Sequence, residues 1–340
     1  MWHALGKPIA VAALAALALG LPLPPYTPPA SGEPLRARSA EPPNIVVILT
    51  DDQRWDTLAW MPTVTEEVVA KGVNFINAFA HNPACCPSRA TFLTGNYSHT
   101  TGVWSNVPPY GSFSAFTSED DTIAVWLDDA GYRTAFMGKY LNEYGPASHV
   151  PPGWDVWRAF VEPGYFHCPL SVDGRLVEKG TDPRDYSTDA FARQADRFIR
   201  ETPDGDPLFL FFAPKAPHGP ARPAPRHLDD LRGIDPYRSP AFNEADVSDK
   251  PAYIQARSQL GEHATSKVDR FRRRQLETLQ AVDQAVARIL AALDETGRLR
   301  NTLIVFTSDN GFAWGSTVGE RSWSPTRRPS ASRSSSAGTG

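Results

Sequence analysis

Five short stretches of this chain carry residue types that could do chemistry together. Asp51 and Asp52 end one apolar run, "NIVVILTDD" (Asn44 to Asp52), and Asp309 and Asn310 end another, "NTLIVFTSDNG" (Asn301 to Gly311). Both pairs offer hard oxygen donors, which suit Ca²⁺ or Mg²⁺ better than zinc, the metal of nitrogen and sulfur ligands. Adjacent acids repel unless a cation sits between them, although a DD pair after a strand also reads as a helix cap or a solvated loop. His218 lies in "APKAPHGP" after a third apolar run, and Lys139 follows "GYRTAFMG". Both can bind an anion and move a proton. "CCPSRATFLTG" opens at Cys85 and reads as the start of a helix with its cysteines at the N-terminus. Four readings of the two cysteines stand open: a disulfide end, a metal site, a nucleophile or core residues. Cys168 is the only other cysteine.

The elements that must position these residues are legible as pattern. The runs Asn44–Asp52, Pro207–Pro220 and Asn301–Gly311 are continuously apolar before they turn polar, the mark of strands buried on both faces of a parallel sheet. Helical spacing lies between them: Asp120–Asp129 before Gly131, Asp189–Glu201, and the stripe Leu276, Leu279, Val282, Val286, Ile289 and Leu293 before Gly297. Strands alternating with helices give an α/β fold with a largely parallel sheet. Such sheets bind ligands beyond the carboxyl ends of their strands, and all three runs end in the residues named above.

Composition sets the outer bounds. With 340 residues and 41% apolar and 21% charged residues, the chain is an ordinary globular one of one large or two smaller domains. A net charge of −4 without a basic stripe excludes nucleic acid as an expected partner. Residues 1–30 read as a secretory signal: Lys7, then an apolar run from Ile9 to Leu21, shorter than the roughly 20 residues of a membrane span. Export is expected, with residues 31–43 a Pro-rich linker, 44–314 the catalytic domain, and 315–340 a low-complexity tail without regular structure. In an oxidising compartment a Cys86–Cys168 pair is open. Arg270–Arg274 ("RFRRR") reads as a solvated helix start.

Cys85–x–Pro87–Ser88–Arg89 followed by "ATFLTG" resembles the signature of the sulfatase family, type I, formylglycine-dependent. The likeness extends from about Asn44 to Asn310 and takes in "GKY" (Gly138–Tyr140), "APHGP" (Ala216–Pro220) and "TSDNG" (Thr307–Gly311). It implies an alkaline-phosphatase-like sandwich. Cys85 would be oxidised to formylglycine by a formylglycine-generating enzyme, and Asp51, Asp52, Cys85, Asp309 and Asn310 would bind Ca²⁺, with Mg²⁺ as the alternative. In the implied mechanism the hydrated aldehyde attacks the sulfur of a sulfate ester through one hydroxyl, and the alcohol leaves. The second hydroxyl then loses its proton and expels sulfate. Arg89 would hold the acids and the modified residue, while Lys139 and His218 would bind sulfate oxygens and protonate the leaving alcohol.

"GKYLNEYG", "HVPPGWDVW" and "FNEADVSDKP" are most similar to the N-acetylglucosamine-6-sulfatase branch, next to the arylsulfatases. The implied substrate is a sulfated carbohydrate or an aryl sulfate, with Asn142 and His149 as substrate contacts. Leu141 stands where many sulfatases carry a histidine, and Asn142 is read as its polar substitute. The family also places a further lysine and a smaller C-terminal domain after the "DNG" loop. No lysine follows Lys267 here, so a truncation or a shifted frame near Gly315 is expected. Two alternatives remain beside the sulfatase: a phosphomonoester or phosphonate hydrolase of the same fold, and an inactive protein that only binds sulfated glycans.

Overall fold

The computed structural model describes residues 41–316 and the backbone of strand Ser334–Gly338. The expected signal segment and nearly all of the linker lie outside the described residues. Among the described residues nine strands form one sheet, in the order β2 (Val73–Phe75), β9 (Ser334–Gly338), β8 (Thr302–Ser308), β1 (Asn44–Thr50), β7 (Leu208–Ala213), β3 (Arg133–Gly138), β4 (Val156–Phe160), β5 (Pro169–Val172) and β6 (Arg175–Glu178). The central strands β8 (Thr302–Ser308), β1 (Asn44–Thr50), β7 (Leu208–Ala213), β3 (Arg133–Gly138) and β4 (Val156–Phe160) run parallel. Each of the three apolar runs is therefore a buried parallel strand, as its lack of alternation predicts.

Side chains leave a strand alternately up and down, so one run feeds two cores. Val46, Ile48, Leu208, Leu210 and Phe212 face one side, where helices α3 (Ser187–Glu201) and α4 (Glu262–Glu295) cover them. Val47, Leu49, Phe209 and Phe211 face the other, where α1 (Cys85–Thr94) and α2 (Ile123–Asp129) pack. The result is a helix–sheet–helix sandwich, the architecture expected. Phe136 stacks on Trp157 with centroids 4.7 Å apart in the second core.

Three expectations need amendment. The stripe at Leu276–Leu293 is only the second part of α4, which begins at Glu262. Its first turns carry few aliphatic residues and so show no stripe. The Arg270–Arg274 run is not simply solvated: Arg272 is buried, with its guanidinium 5.4 Å from the Trp60 ring and 5.3 Å from Trp314, and donates to the Asp235 carbonyl at 2.8 Å. Within the tail expected to be without structure, Ser334–Gly338 forms β9, antiparallel to both β8 and β2 (Val73–Phe75). Its backbone takes up the hydrogen-bonding edge that β8 presents, which composition alone does not reveal.

The antiparallel edge β4–β5–β6 was not anticipated. β5 (Pro169–Val172) and β6 (Arg175–Glu178) are joined by Asp173-Gly174, both at positive φ (48° and 78°), the pairing that a tight hairpin demands.

Gly138 closes β3 where it lies against β7. Its φ is 130°, and a Cβ there would stand 1.8 Å from the Ala213 carbonyl oxygen, a backbone atom that cannot step aside. Gly138→Ala should cost about 3 kcal/mol or more, at the upper end for a single substitution. Gly131→Ala, at φ 84° in open space, should cost about 1 kcal/mol. Urea unfolding of the two variants checks this; equal losses would contradict the close approach.

Candidate active site

The four strands β8, β1, β7 and β3 are neighbours and end at the same edge of the sheet. Beyond those ends lie Asp309-Asn310, Asp51-Asp52, the loop Lys215–His218, and Lys139. Parallel pairing thus assembles the site from segments far apart in sequence. Two backbone bonds lock the ends together: Asp51 N–H donates to Ala216 O at 3.2 Å, and Lys139 N–H to Ala213 O at 2.8 Å. Asp52 sits at φ 66°, a strained conformation that Asp tolerates better than most residues. Its N–H donates to Asp309 Oδ1 at 3.1 Å.

Helix α1 brings the cysteine from the other side. It starts at Cys85 and closes at Gly95 in the left-handed region (φ 68°), whose N–H donates to Thr91 O. Cys85 Sγ is 3.3 Å from Asp51 Oδ1, 3.9 Å from Asp52 Oδ1, and 3.5 Å from Asn310 Nδ2. One turn on, Arg89 Nε donates to Asp309 Oδ2 at 2.7 Å, with Nη1 on the Lys139 carbonyl at 2.5 Å. Ser88 Oγ donates to the Asp309 carbonyl at 2.5 Å. Cys86 turns the opposite way into the second core, and its N–H donates to Asn106 Oδ1 at 2.8 Å.

All three cysteines are free. Cys86 packs on one face of the sheet and Cys168 on the other, so the open pairing between them is excluded by the sheet itself.

Lys139 Nζ donates to Asp51 Oδ2 at 2.6 Å, and His218 Nε2 is 3.7 Å from Asp52 Oδ2. His218 Nδ1 bonds the Gly219 carbonyl at 2.7 Å, which makes Nδ1 the protonated nitrogen and leaves Nε2 with its lone pair toward the cleft. Burial alone would raise the Asp51 carboxyl, but Lys139, His218, Arg89 and Lys215 around it bring it below the usual carboxylate range. Asp52 is pushed well up by burial and then by Asp51 and Asp309. Asp309 is pushed up to about 6, by burial above all, with Arg89 pulling the other way. The Cys85 thiol is pushed well up by burial and by Asp51. Asp51 draws His218 upward, but burial and the Lys139 and Lys215 ammoniums outweigh it and lower its pKa.

These directions describe a set of acids short of positive charge. Among the described residues the Asp52 carboxylate has no closer side-chain partner than the Cys85 thiol at 3.9 Å and His218 Nε2 at 3.7 Å, which in this tautomer carries no proton. A buried carboxylate so poorly paired calls for a cation. One ligand atom from each of Asp51, Asp52, Cys85 and His218 falls within 4.8 Å of the others. The oxygen-rich donor set of Asp51, Asp52, Asp309 and Asn310 fits a hard divalent ion.

The structure therefore brings together Cys85, Arg89, Lys139, His218, Asp51, Asp52, Asp309 and Asn310. For the two expected substrate residues the contacts are of another kind, and among the described residues the Asn142 side-chain oxygen is buried without a hydrogen-bond partner. Asn142 serves the fold through its carbonyl, which accepts from Phe113 N–H at 2.8 Å. His149 Nε2 is held by Glu119 at 3.0 Å, beside Phe113 and Tyr144. Lys215 went unread in the sequence. Its signal is weak: a lysine among Ala and Pro shortly after an apolar run, with nothing in periodicity to mark it.

A central, mostly parallel sheet between two helical layers, with the site at the strand ends, defines an alkaline-phosphatase-like α/β protein. The chain belongs to the sulfatase family, whose model, described as "Sulfatase", matches residues 43–334. It is 35% identical over 280 residues to the putative extracellular sulfatase Sulf-1 homolog of Caenorhabditis elegans, covering 80% of this chain and 39% of that protein. It is 33% identical over 288 residues to human N-acetylglucosamine-6-sulfatase, covering 80% and 52%. The chain thus spans about half or less of the length of these curated relatives. Among solved structures, that of BT4656 in complex with its substrate D-glucosamine-2-N,6-O-disulfate superposes with a TM-score of 0.71 at 23% identity, covering 88% of this chain and 71% of that one. The phosphonate monoester hydrolase of Agrobacterium radiobacter superposes with a TM-score of 0.65 at 20% identity, covering 87% and 68%. At these identities the likeness concerns the fold.

The raised carboxyls predict how a cation should behave. In the unfolded chain Asp titrates at about 3.9, whereas Asp309 is held at about 6 in the fold and Asp52 is also raised well above its ordinary value by burial and the neighbouring acids. A carboxyl raised by folding stabilises the fold below its unfolded pKa, and that contribution is lost as pH rises through the folded value. A bound cation removes the penalty and displaces the protons. The rise in Tm on adding Ca²⁺ to chelated protein should be small at pH 4.5 and grow through pH 6 to 7.5. Calorimetry across that range checks it, and a rise that ignores pH would contradict it.

Proposed function

We propose that the protein is an exported sulfuric ester hydrolase acting on sulfated sugars, with a glucosamine 6-sulfate unit as the favoured substrate. The observation that carries this reading is the position of Cys85, at the start of α1, within 3.3 Å of Asp51 and 3.5 Å of Asn310. A plain thiol there is a poor nucleophile, because burial and the acids push its pKa up. The same position suits an oxygen nucleophile, and formylglycine made from Cys85 supplies one as a hydrated aldehyde. Human N-acetylglucosamine-6-sulfatase, at 33% identity, supports the sugar substrate. The apolar run at residues 9–21 and the extracellular sulfatases among the relatives support export. Among the described residues, no helix is long and apolar enough to cross a membrane.

Asp51, Asp52, Asp309 and Asn310 hold the cation, for which Ca²⁺ is the choice. When bound, it acidifies the nucleophilic oxygen and offsets charge on the sulfo group. Arg89 ties Asp309 to the strand carrying Lys139 and so keeps donors and nucleophile in one arrangement. Lys139, fixed by Asp51, presents an ammonium to the sulfo oxygens. His218, with Nε2 toward the cleft, takes up a proton as an anion enters and passes it to the leaving oxygen.

Two measurements test the reading. The tryptic peptide Gly72–Arg89 from the native host should be lighter by the exchange of thiol sulfur for aldehyde oxygen, and should react with hydrazides. The purified protein should hydrolyse an aryl sulfate faster than the matching aryl phosphate, and Cys85→Ala should lower kcat by at least about 10³-fold. An unmodified peptide with no sulfate release sinks the proposal. A preference for phosphate would reassign the protein to phosphoester hydrolysis.

A further inference from the structure

Lys215 lies two residues beyond the end of β7 and three before His218. Its side chain is buried, with the residue 7% exposed. A buried ammonium is ordinarily held by a carboxylate, because leaving water costs more than unpaired burial returns. Lys139 obeys this rule through Asp51 at 2.6 Å. Lys215 does not: among the described residues its ammonium makes no hydrogen bond and no ion pair. Its recorded neighbour is the Tyr165 ring, with the centroid 5.9 Å away.

The loop that holds it is rigid. His218 N–H donates to the Lys215 carbonyl at 2.9 Å, Asp51 N–H to Ala216 O at 3.2 Å, and Tyr165 Oη to the His218 carbonyl at 2.7 Å. Lys215 and Tyr165 therefore sit beside His218, one of whose ring nitrogens lies within 4.8 Å of ligand atoms of Asp51, Asp52 and Cys85. The fields of Asp51, Asp52 and Cys85 reach Lys215, yet burial outweighs their attraction and lowers its pKa.

A count of charge shows what the lysine is not for. Asp51, Asp52 and Asp309 carry three negative charges. Arg89, Lys139 and a divalent cation would supply four positive ones. The acids are neutralised without Lys215, and a fifth positive charge only makes the empty cleft worse. It becomes favourable when an anion arrives.

We propose that Lys215 is a substrate-binding residue whose ammonium donates to a peripheral oxygen of the sulfo group. This assignment rests on the sulfatase reading above. It makes the loop after β7 the carrier of two functions: His218 for the proton and Lys215 for the anion.

The probe is inorganic sulfate, titrated calorimetrically into calcium-loaded protein carrying Cys85→Ala, so that maturation and turnover play no part. Adding Lys215→Met should weaken sulfate binding roughly ten- to a hundredfold, the loss of one charge-assisted hydrogen bond. Lys215→Arg should keep most of it. Without sulfate, the Lys215→Met protein should be at least as stable as its parent, since methionine fills the space without a charge; sulfate should then raise the Tm of the parent more. Sulfate affinity within twofold of the parent in Lys215→Met would overturn the assignment alone. A Lys215→Met protein less stable than the parent without sulfate would make the lysine structural and also overturn it. A parent that binds no sulfate would overturn the sulfatase reading together with the assignment.

Discussion

Three carboxylates buried in one place cannot all keep their charge unless cations surround them, and this constraint organises the molecule. Asp51, Asp52 and Asp309 meet because β1 and β8 are parallel neighbours in register, Thr50 opposite Ser308. The two apolar strands must be buried to pair, and their ends are buried with them. Arg89 and Lys139 are the fold's own answer. One arrives on α1 and the other on β3, and each is held by an acid at 2.7 and 2.6 Å respectively. What they leave uncovered is Asp52, and that shortfall defines where a metal ion belongs.

The same constraint separates two adjacent cysteines. A helix that begins at the cleft turns successive residues by about 100°, so Cys85 and Cys86 cannot share surroundings. Cys85 looks at acids. Cys86 is among Ala90, Leu93 and Phe136 of the second core, where burial pushes its thiol up to about 11. The doubled cysteine is thus divided by helix geometry, one residue facing the acids and the other packing in the core.

The sheet and the metal-type acids were legible because burial on both faces leaves a continuous apolar run, and the run stops where the chain reaches the cleft. Cys85 and Arg89, one turn apart at the start of α1, were legible through their motif. Pattern failed where burial was not the organising force. β6, "RLVE", has three of its four residues exposed, and only the Asp173-Gly174 turn before it marks the hairpin. The first half of α4 lacks aliphatic residues, and Arg272 in it is buried by aromatic rings rather than by an apolar stripe. Asn142 and His149 read as polar residues near a motif, yet one has its backbone engaged with Phe113 and the other is engaged by Glu119.

Lys215 shows the limit from the other side. In sequence it is one lysine among prolines, and nothing in periodicity distinguishes it from a surface residue. Only the pairing of β7 with β1 and β3 reveals that its loop closes over the acids. Once there, it widens the imbalance of the cleft: with a divalent cation bound, five positive charges would face three negative ones. Under the proposed function, such a cleft would attract a sulfate ester, which carries one negative charge, and would hold the released sulfate dianion harder still. Tight capture of substrate and slow release of product then have a common cause. Nothing that strengthens the first by adding charge can avoid the second, so turnover depends on the access of water and competing anions to the half-buried His218 side of the cleft.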